Sequence, residues 1–141
     1  MVILDTDLLS LLDRRTDDAQ RRLQNRLDTL PVDEVVTTII TFEEQMRGWM
    51  AYLAKSRGVA QQIKAYERLS LFLENHCRLR SLRFDEKAAA EFEHLQRLRL
   101  RVGTMDLKIA AIALAYKATV LTRNLKDFNQ IPGLNVEDWS V

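Results

Sequence analysis

The sequence predicts a three-layer α/β/α domain around a central, mainly parallel sheet, and three observations carry that expectation. Short apolar runs of strand type recur along the chain: Val2–Leu4, Glu34–Thr38, Cys77–Leu82 and Ala118–Thr122. Segments of helical pattern separate them, the alternation expected of parallel strands joined by helical crossovers. Val2–Leu4 is apolar at successive rather than alternate positions, as strands are when helices cover both faces of their sheet.

The 141 residues are 47% hydrophobic and 29% charged, with four Gly and two Pro, so one domain spanning residues 1–141 is expected. No repeat or low-complexity tract is evident. Twenty-one basic residues against 20 acidic ones give a net charge of +1, so a nucleic-acid partner must be met by a local patch. The single cysteine, Cys77, makes no internal disulfide and has no zinc-type spacing around it. It reads as a small buried hydrophobe. No signal-peptide pattern and no window of roughly 20 apolar residues is present, so a cytoplasmic setting without membrane contact is expected.

Val2–Leu4 forms the first strand and runs directly into Asp5 and Asp7. Ligands of open α/β sheets collect beyond the carboxyl ends of the strands, where both carboxylates stand. Asp7 is also a natural N-cap for a short helix carrying Leu8, Leu9, Leu11 and Leu12. Thr16-Asp-Asp18 opens a second helix, with Leu23, Leu27 and Leu30 on one face, which stops before Pro31.

The second strand, Glu34–Thr38, leads into a helix at Thr41, whose spacing to Glu44 fits a capping box. Glu44 also lies one turn from Gly48, where a ligand could approach, whereas Glu43 points to solvent. Met46, Trp49, Met50 and Leu53 form one apolar stripe and Val59, Ile63, Tyr66, Leu69 and Leu73 another, which predicts a helical hairpin turning at Gly58. Such stripes are core or a subunit interface. His76 and His94 read as structural or solvated.

Cys77–Leu82 is the third strand, and Asp85 caps a helix whose Ala88, Ala89, Phe92, Leu95 and Leu98 face inward. Arg78, Arg80, Arg83, Arg97, Arg99 and Arg101 lie between residues 78 and 101. They are a solvated face or, if they border the carboxylates, phosphate ligands. Thr104 is the expected N-cap of the apolar helix Leu107–Tyr116. That places Asp106 in the first turn, where the helix dipole favours it and where it could equally hold a metal. The fourth strand ends at Thr122-Arg-Asn124, with Asp127 just beyond, and Leu134–Val136 is extended.

Asp5, Glu44, Asp106, Asn124 and Asp127 can therefore converge at one end of the sheet. Crowded carboxylates resist ionising unless a divalent cation sits among them, and oxygen ligands without cysteine or histidine favour Mg²⁺ or Mn²⁺. Phosphodiester hydrolysis suits such a site, because one or two metal ions activate water and stabilise the growing charge.

Four ordered segments resemble the PIN-domain ribonucleases, in particular the VapC toxins of type II toxin–antitoxin systems. They are Leu4-Asp-Thr-Asp7, Ile40-Thr-Phe-Glu-Glu-Gln-Met-Arg-Gly48, Met105-Asp-Leu-Lys-Ile-Ala-Ala111 and Val120-Leu-Thr-Arg-Asn-Leu-Lys-Asp-Phe128; the ending Ile131–Trp139 is similar too. The resemblance implies a PIN-like fold and a metal-dependent endoribonuclease, with Asp5, Glu44 and Asp106 at the family's acidic positions. It also implies a homodimer and a VapB-like antitoxin that inserts a segment into the groove. The family's fourth acid is here Asn124, a departure that lowers the site's charge, and Asp127 could substitute for it. Thr6 and Thr122 are expected to support the carboxylates by hydrogen bonding.

Two other readings compete. An apolar strand before Asp-x-Asp also opens the haloacid-dehalogenase phosphatases, in which Asp5 would be the nucleophile and Asp7 the acid. Asn124 motivates the other, a PIN scaffold whose metal site has lapsed and which only binds RNA or a partner.

Overall fold

A computed structural model of the chain describes residues 1–13 and 17–141. Five strands, β1 (Val2–Leu4), β2 (Val35–Thr38), β3 (Arg80–Leu82), β4 (Thr119–Leu121) and β5 (Val136–Glu137), form one sheet in the order β3-β2-β1-β4-β5. Every pairing is parallel. Ile3 stands beside Val36 on one flank and Val120 on the other. The strand leading into Asp5 is thus the central one.

Strand alternation sorts these residues into two cores. Ile3, Val36 and Val120 face α6 (Thr104–Tyr116), packing with its Ile109, Ala110 and Ala113, all fully buried. Val2, Leu4 and Leu121 face the opposite way, onto Leu8 and Leu11 of α1 (Thr6–Leu12) and Leu23 and Leu27 of α2 (Asp18–Leu27). Each large aliphatic side chain buried there contributes roughly 1.5–3 kcal/mol. With both faces covered, β1 has no polar side, which is why it reads as an unbroken apolar run. Leu107 and Ile109–Ala113 of α6 are buried, and Asp106 lies in its first turn.

The remaining helices are α3 (Ile39–Lys55), α4 (Gly58–Cys77), α5 (Glu86–Arg97) and α7 (Leu125–Phe128). Helix α3 starts earlier than the sequence suggests. Thr38 is its N-cap, accepting from the Thr41 amide at 3.0 Å, so Thr41 lies inside the helix and the expected capping box with Glu44 does not form. The expected hairpin is present as α3 and α4, with Gly58 at φ +76° in the turn. Its stripes are not core: Met50, Val59, Ile63, Tyr66 and Leu73 are exposed.

Helix α4 continues to Cys77, so β3 begins at Arg80 and Cys77 is exposed rather than buried. Asp85 caps α5 as expected, accepting from the Ala88 amide at 3.0 Å, but Leu98 lies beyond the helix and is exposed. The N-cap of α6 is Gly103, not Thr104. Asp17 caps α2, and Thr16, expected to open that helix, lies outside the described residues. The final strand falls at Val136–Glu137, slightly later than the extended run expected at Leu134–Val136.

Candidate metal centre

Asp5 leaves the central strand with its amide bonded to the Leu121 carbonyl at 3.0 Å, and it is itself the N-cap of α1. Its Oδ1 accepts from the Thr6 amide at 2.8 Å and its Oδ2 from the Thr122 hydroxyl at 2.8 Å. The cap expected of Asp7 therefore belongs to Asp5, because the strand ends one residue before the first carboxylate. Asp7 sits in the first turn and accepts from the Arg123 amide at 3.1 Å, tying α1 to the turn after β4.

Glu44 projects from the second turn of α3, where the Thr6 hydroxyl donates to its Oε1 at 3.2 Å. Thr6 thereby touches two carboxylates, Asp5 through its backbone and Glu44 through its side chain. Asp106 comes from the first turn of α6. One oxygen from each of Asp5, Glu44 and Asp106 can be chosen so that all lie within 4.8 Å of one another. Asn124, at the entry to α7, donates its amide nitrogen to Asp127 at 2.9 Å and to Asp106 at 3.4 Å. Its backbone amide donates to the Thr122 hydroxyl oxygen at 3.0 Å. The structure thus presents the nitrogen of Asn124 to the carboxylates of Asp106 and Asp127.

Burial governs the electrostatics. Asp5 is 6% exposed, and loss of solvation lifts its carboxyl to about 7 against the stabilising Thr6 amide and Thr122 hydroxyl, with Asp7 and Asp106 adding repulsion. Glu44 and Asp106 are raised as well, first by desolvation and then by neighbouring carboxylates. Asp7 is raised by desolvation, and its Oδ1 is buried with no partner among the described residues. None of Asp5, Glu44, Asp106 or Asp127 has a basic side chain or amino terminus within 4.0 Å among the described residues. Three converging hard oxygens without a protein counter-ion fit a divalent cation such as Mg²⁺ or Mn²⁺.

Replacing Thr122 by Val keeps the shape and removes a hydroxyl that serves both Asp5 and Asn124. Because that hydroxyl lowers the Asp5 pKa, Thr122→Val is expected to move the acid limb of the activity profile to higher pH. It should also cost about 1–3 kcal/mol for the groups left unpaired. Rates measured from about pH 5 to 9, alongside urea melts, check both effects.

The fold and the cluster together define a class: parallel α/β proteins that gather acidic side chains beyond the carboxyl ends of their central strands. Within that class the assignment is specific. The family model for the PIN domain matches residues 2–134, and the chain belongs to the PIN-domain family. It is 30% identical over 115 residues to Ribonuclease VapC1 of Haemophilus influenzae (strain R2866), covering 79% of this chain and 78% of that protein. It is 44% identical over 45 residues to Ribonuclease VapC2 of Rickettsia felis, a match spanning 32% of this chain and only 34% of that one. Among solved structures, VapBC-1 from nontypeable Haemophilus influenzae superposes with a TM-score of 0.73 at 26% identity, covering 100% of both chains.

Of the residues singled out in the sequence, Asp5, Glu44 and Asp106 meet in one cluster, and Asn124, Asp127, Thr6 and Thr122 bond to it or to one another. Gly48 makes no close approach; a side chain there would face open space. The link from Asp7 to the Arg123 amide has no signal in the sequence, since its partner is a backbone group 116 positions away.

Proposed function

We propose that this chain is a VapC-type endoribonuclease, the toxin of a toxin–antitoxin pair, which cleaves RNA phosphodiester bonds with Mg²⁺ or Mn²⁺. The observation that carries the reading is the convergence of Asp5, Glu44 and Asp106 within 4.8 Å, without a protein counter-ion among the described residues, inside the matched PIN segment. Asp5, Glu44 and Asp106 would hold the cation, with Asp127 and Asn124 beside it. Once bound, a divalent cation supplies Lewis acidity, polarising the phosphoryl group and lowering the pKa of water.

The chain's own residues do the rest. Thr6 sets Asp5 and Glu44 relative to each other, and Thr122 fixes the second oxygen of Asp5. Asn124 draws Asp106 and Asp127 together despite their like charge. Asp5, with a pKa of about 7, must lose a proton to become a ligand, so rising pH favours loading. The likeness to VapBC-1 over the whole chain supports a VapB-like antitoxin as partner. The exposed apolar side chains of α3 and α4 support a homodimer and an antitoxin surface. No helix among the described residues is long and apolar enough to cross a membrane, which accords with action in the cytoplasm.

Purified protein is expected to cut single-stranded or structured RNA with Mn²⁺ or Mg²⁺ and to stop with EDTA. Glu44→Gln and Asp106→Asn should each lose at least about a hundredfold in kcat, as removal of a principal charge-stabilising group does. Cleavage that survives both substitutions and EDTA would refute the assignment. The phosphatase alternative is disfavoured by the PIN match, and Asp7 is occupied with the Arg123 amide. Saturable Mn²⁺ binding, lost on either substitution, would dispose of a lapsed scaffold.

A further inference from the structure

The chain just before Asp106 is rich in arginine. Helix α5 ends at Arg97, and residues 98–103 lead into α6, whose first turn carries Asp106. In that segment Leu100 and Val102 pack against the core, whereas Arg99, Arg101 and the preceding Arg97 are exposed. None of the three arginines has a carboxylate within 4.0 Å among the described residues.

The segment is anchored to α7. The side-chain amide of Gln130 donates to the Arg101 carbonyl and to the Lys126 carbonyl, each at 3.4 Å. Lys126, also exposed, thus joins the arginines on the side of the site that carries Asp106, Asn124 and Asp127.

Arg99 has a second peculiarity. It follows the C-cap of α5 in the left-handed region, φ 52°, a position that favours glycine. Only one other non-glycine residue among those described shares this conformation. It is Lys117, φ 54°, at the opposite end of α6 and far from the carboxylates. Arg99 thus holds a long cationic side chain where glycine would be better accommodated.

We propose that Arg97, Arg99 and Arg101, with Lys126, form a track that grips the RNA backbone on the α6–α7 side of the acidic centre. The inference rests on the ribonuclease reading and adds to it the residues that hold the substrate. A cluster of carboxylates repels a polyanion, and guanidinium groups beside it offset that repulsion through bidentate contacts to phosphate oxygens. Contacts to phosphate orient the strand without reading its sequence.

Binding of a labelled single-stranded RNA to the full chain, measured in EDTA from about 50 to 200 mM salt, tests the track. Each phosphate contact contributes about 0.7 to the slope of log K against log salt, so the combined Arg97→Gln, Arg99→Gln and Arg101→Gln variant should lose about 2 from that slope. With Mn²⁺ restored, its KM should rise while kcat stays within about twofold.

Arg99→Gly separates the track from simple folding. It should raise the Tm by about 2–4 °C yet weaken RNA binding two- to threefold at about 200 mM salt. Lys117→Gly should give the same rise in Tm with unchanged RNA affinity. An unchanged slope in the triple variant, or equal losses of affinity in Arg99→Gly and Lys117→Gly, overturns the track while leaving the nuclease intact. Wild-type protein that neither binds nor cuts RNA overturns the ribonuclease reading itself.

Discussion

Asp5→Asn is expected to abolish RNA cleavage and, at the same time, to raise the melting temperature of the metal-free protein. The two effects have one origin. Asp5 is buried, its carboxyl lifted from 3.8 to about 7, so the charge needed to hold a cation is carried at a cost in the fold. An amide keeps one acceptor oxygen for the Thr6 amide or the Thr122 hydroxyl and removes the desolvated charge. Loss of a ligand should lower kcat by at least about a thousandfold, as loss of a principal electrostatic contact does. A functional site that stores instability in this way gains stability when disarmed.

The sign of the pH dependence follows from the protons. Between about pH 4 and about 7, folded Asp5 keeps a proton that the unfolded chain has released. The unfolded state therefore binds fewer protons, and stability falls as pH rises through that window. Above about pH 7 the loss levels off at on the order of 4 kcal/mol relative to acid conditions. Other carboxylates of the cluster, Glu44 and Asp106, are raised too and add in the same direction. Thermal melts of the metal-free protein at pH 5, 6, 7 and 8 should therefore show a declining Tm, less steep in Asp5→Asn. Saturating Mn²⁺ should restore most of the loss at the alkaline end by binding the native state alone. A wild-type Tm that rises with pH in EDTA would contradict this account of the site.

Much of this architecture is legible in the chain because its strongest signals are local. Val2–Leu4 is short, apolar and of strand type, and burial on both faces leaves no polar position to confuse the pattern. Asp5 follows a strand, Glu44 lies in the second turn of the helix after one and Asp106 opens a helix, so topology brings them to one end. The misplacements share a cause, which is that capping rules allow more than one start. Asp5 and Asp7 are both good caps, and only the hydrogen bond from Asp5 to Leu121 in the next strand decides where α1 begins. Ile39 and Ile40 have strand propensity yet sit in α3, because burial of Ile40 against the core outweighs a few tenths of a kcal/mol of intrinsic preference. Cys77 is equally ambiguous by local pattern, and α4 simply continues through it. The donor role of Asn124 is illegible altogether, since its two acceptors arrive from α6 and α7.

Phe128→Ala should produce the largest loss of stability, about 3–5 kcal/mol, because Phe128 is fully buried in the core beneath α7. Urea midpoints should fall with the m-value unchanged, and the Tm should drop by about 10 °C. The consequence reaches the site through a weak element. Helix α7 has only four residues and no side-chain cap, so its own hydrogen bonds cannot hold it. Phe128 anchors the segment that presents Asn124 and Asp127, and without it their bonds to Asp106 and to each other lose their geometry. Mn²⁺ affinity should then weaken about tenfold, the scale on which loss of ligand-orienting partners acts, and not vanish. Asp5 caps α1 and Glu44 stands on α3, neither of which contains that anchor. Phe128→Leu, which fills much of the space, should recover most of both losses. Calorimetric Mn²⁺ titrations at a temperature where both variants remain folded separate the two effects: full wild-type affinity in Phe128→Ala would show that α7 contributes nothing to the metal centre.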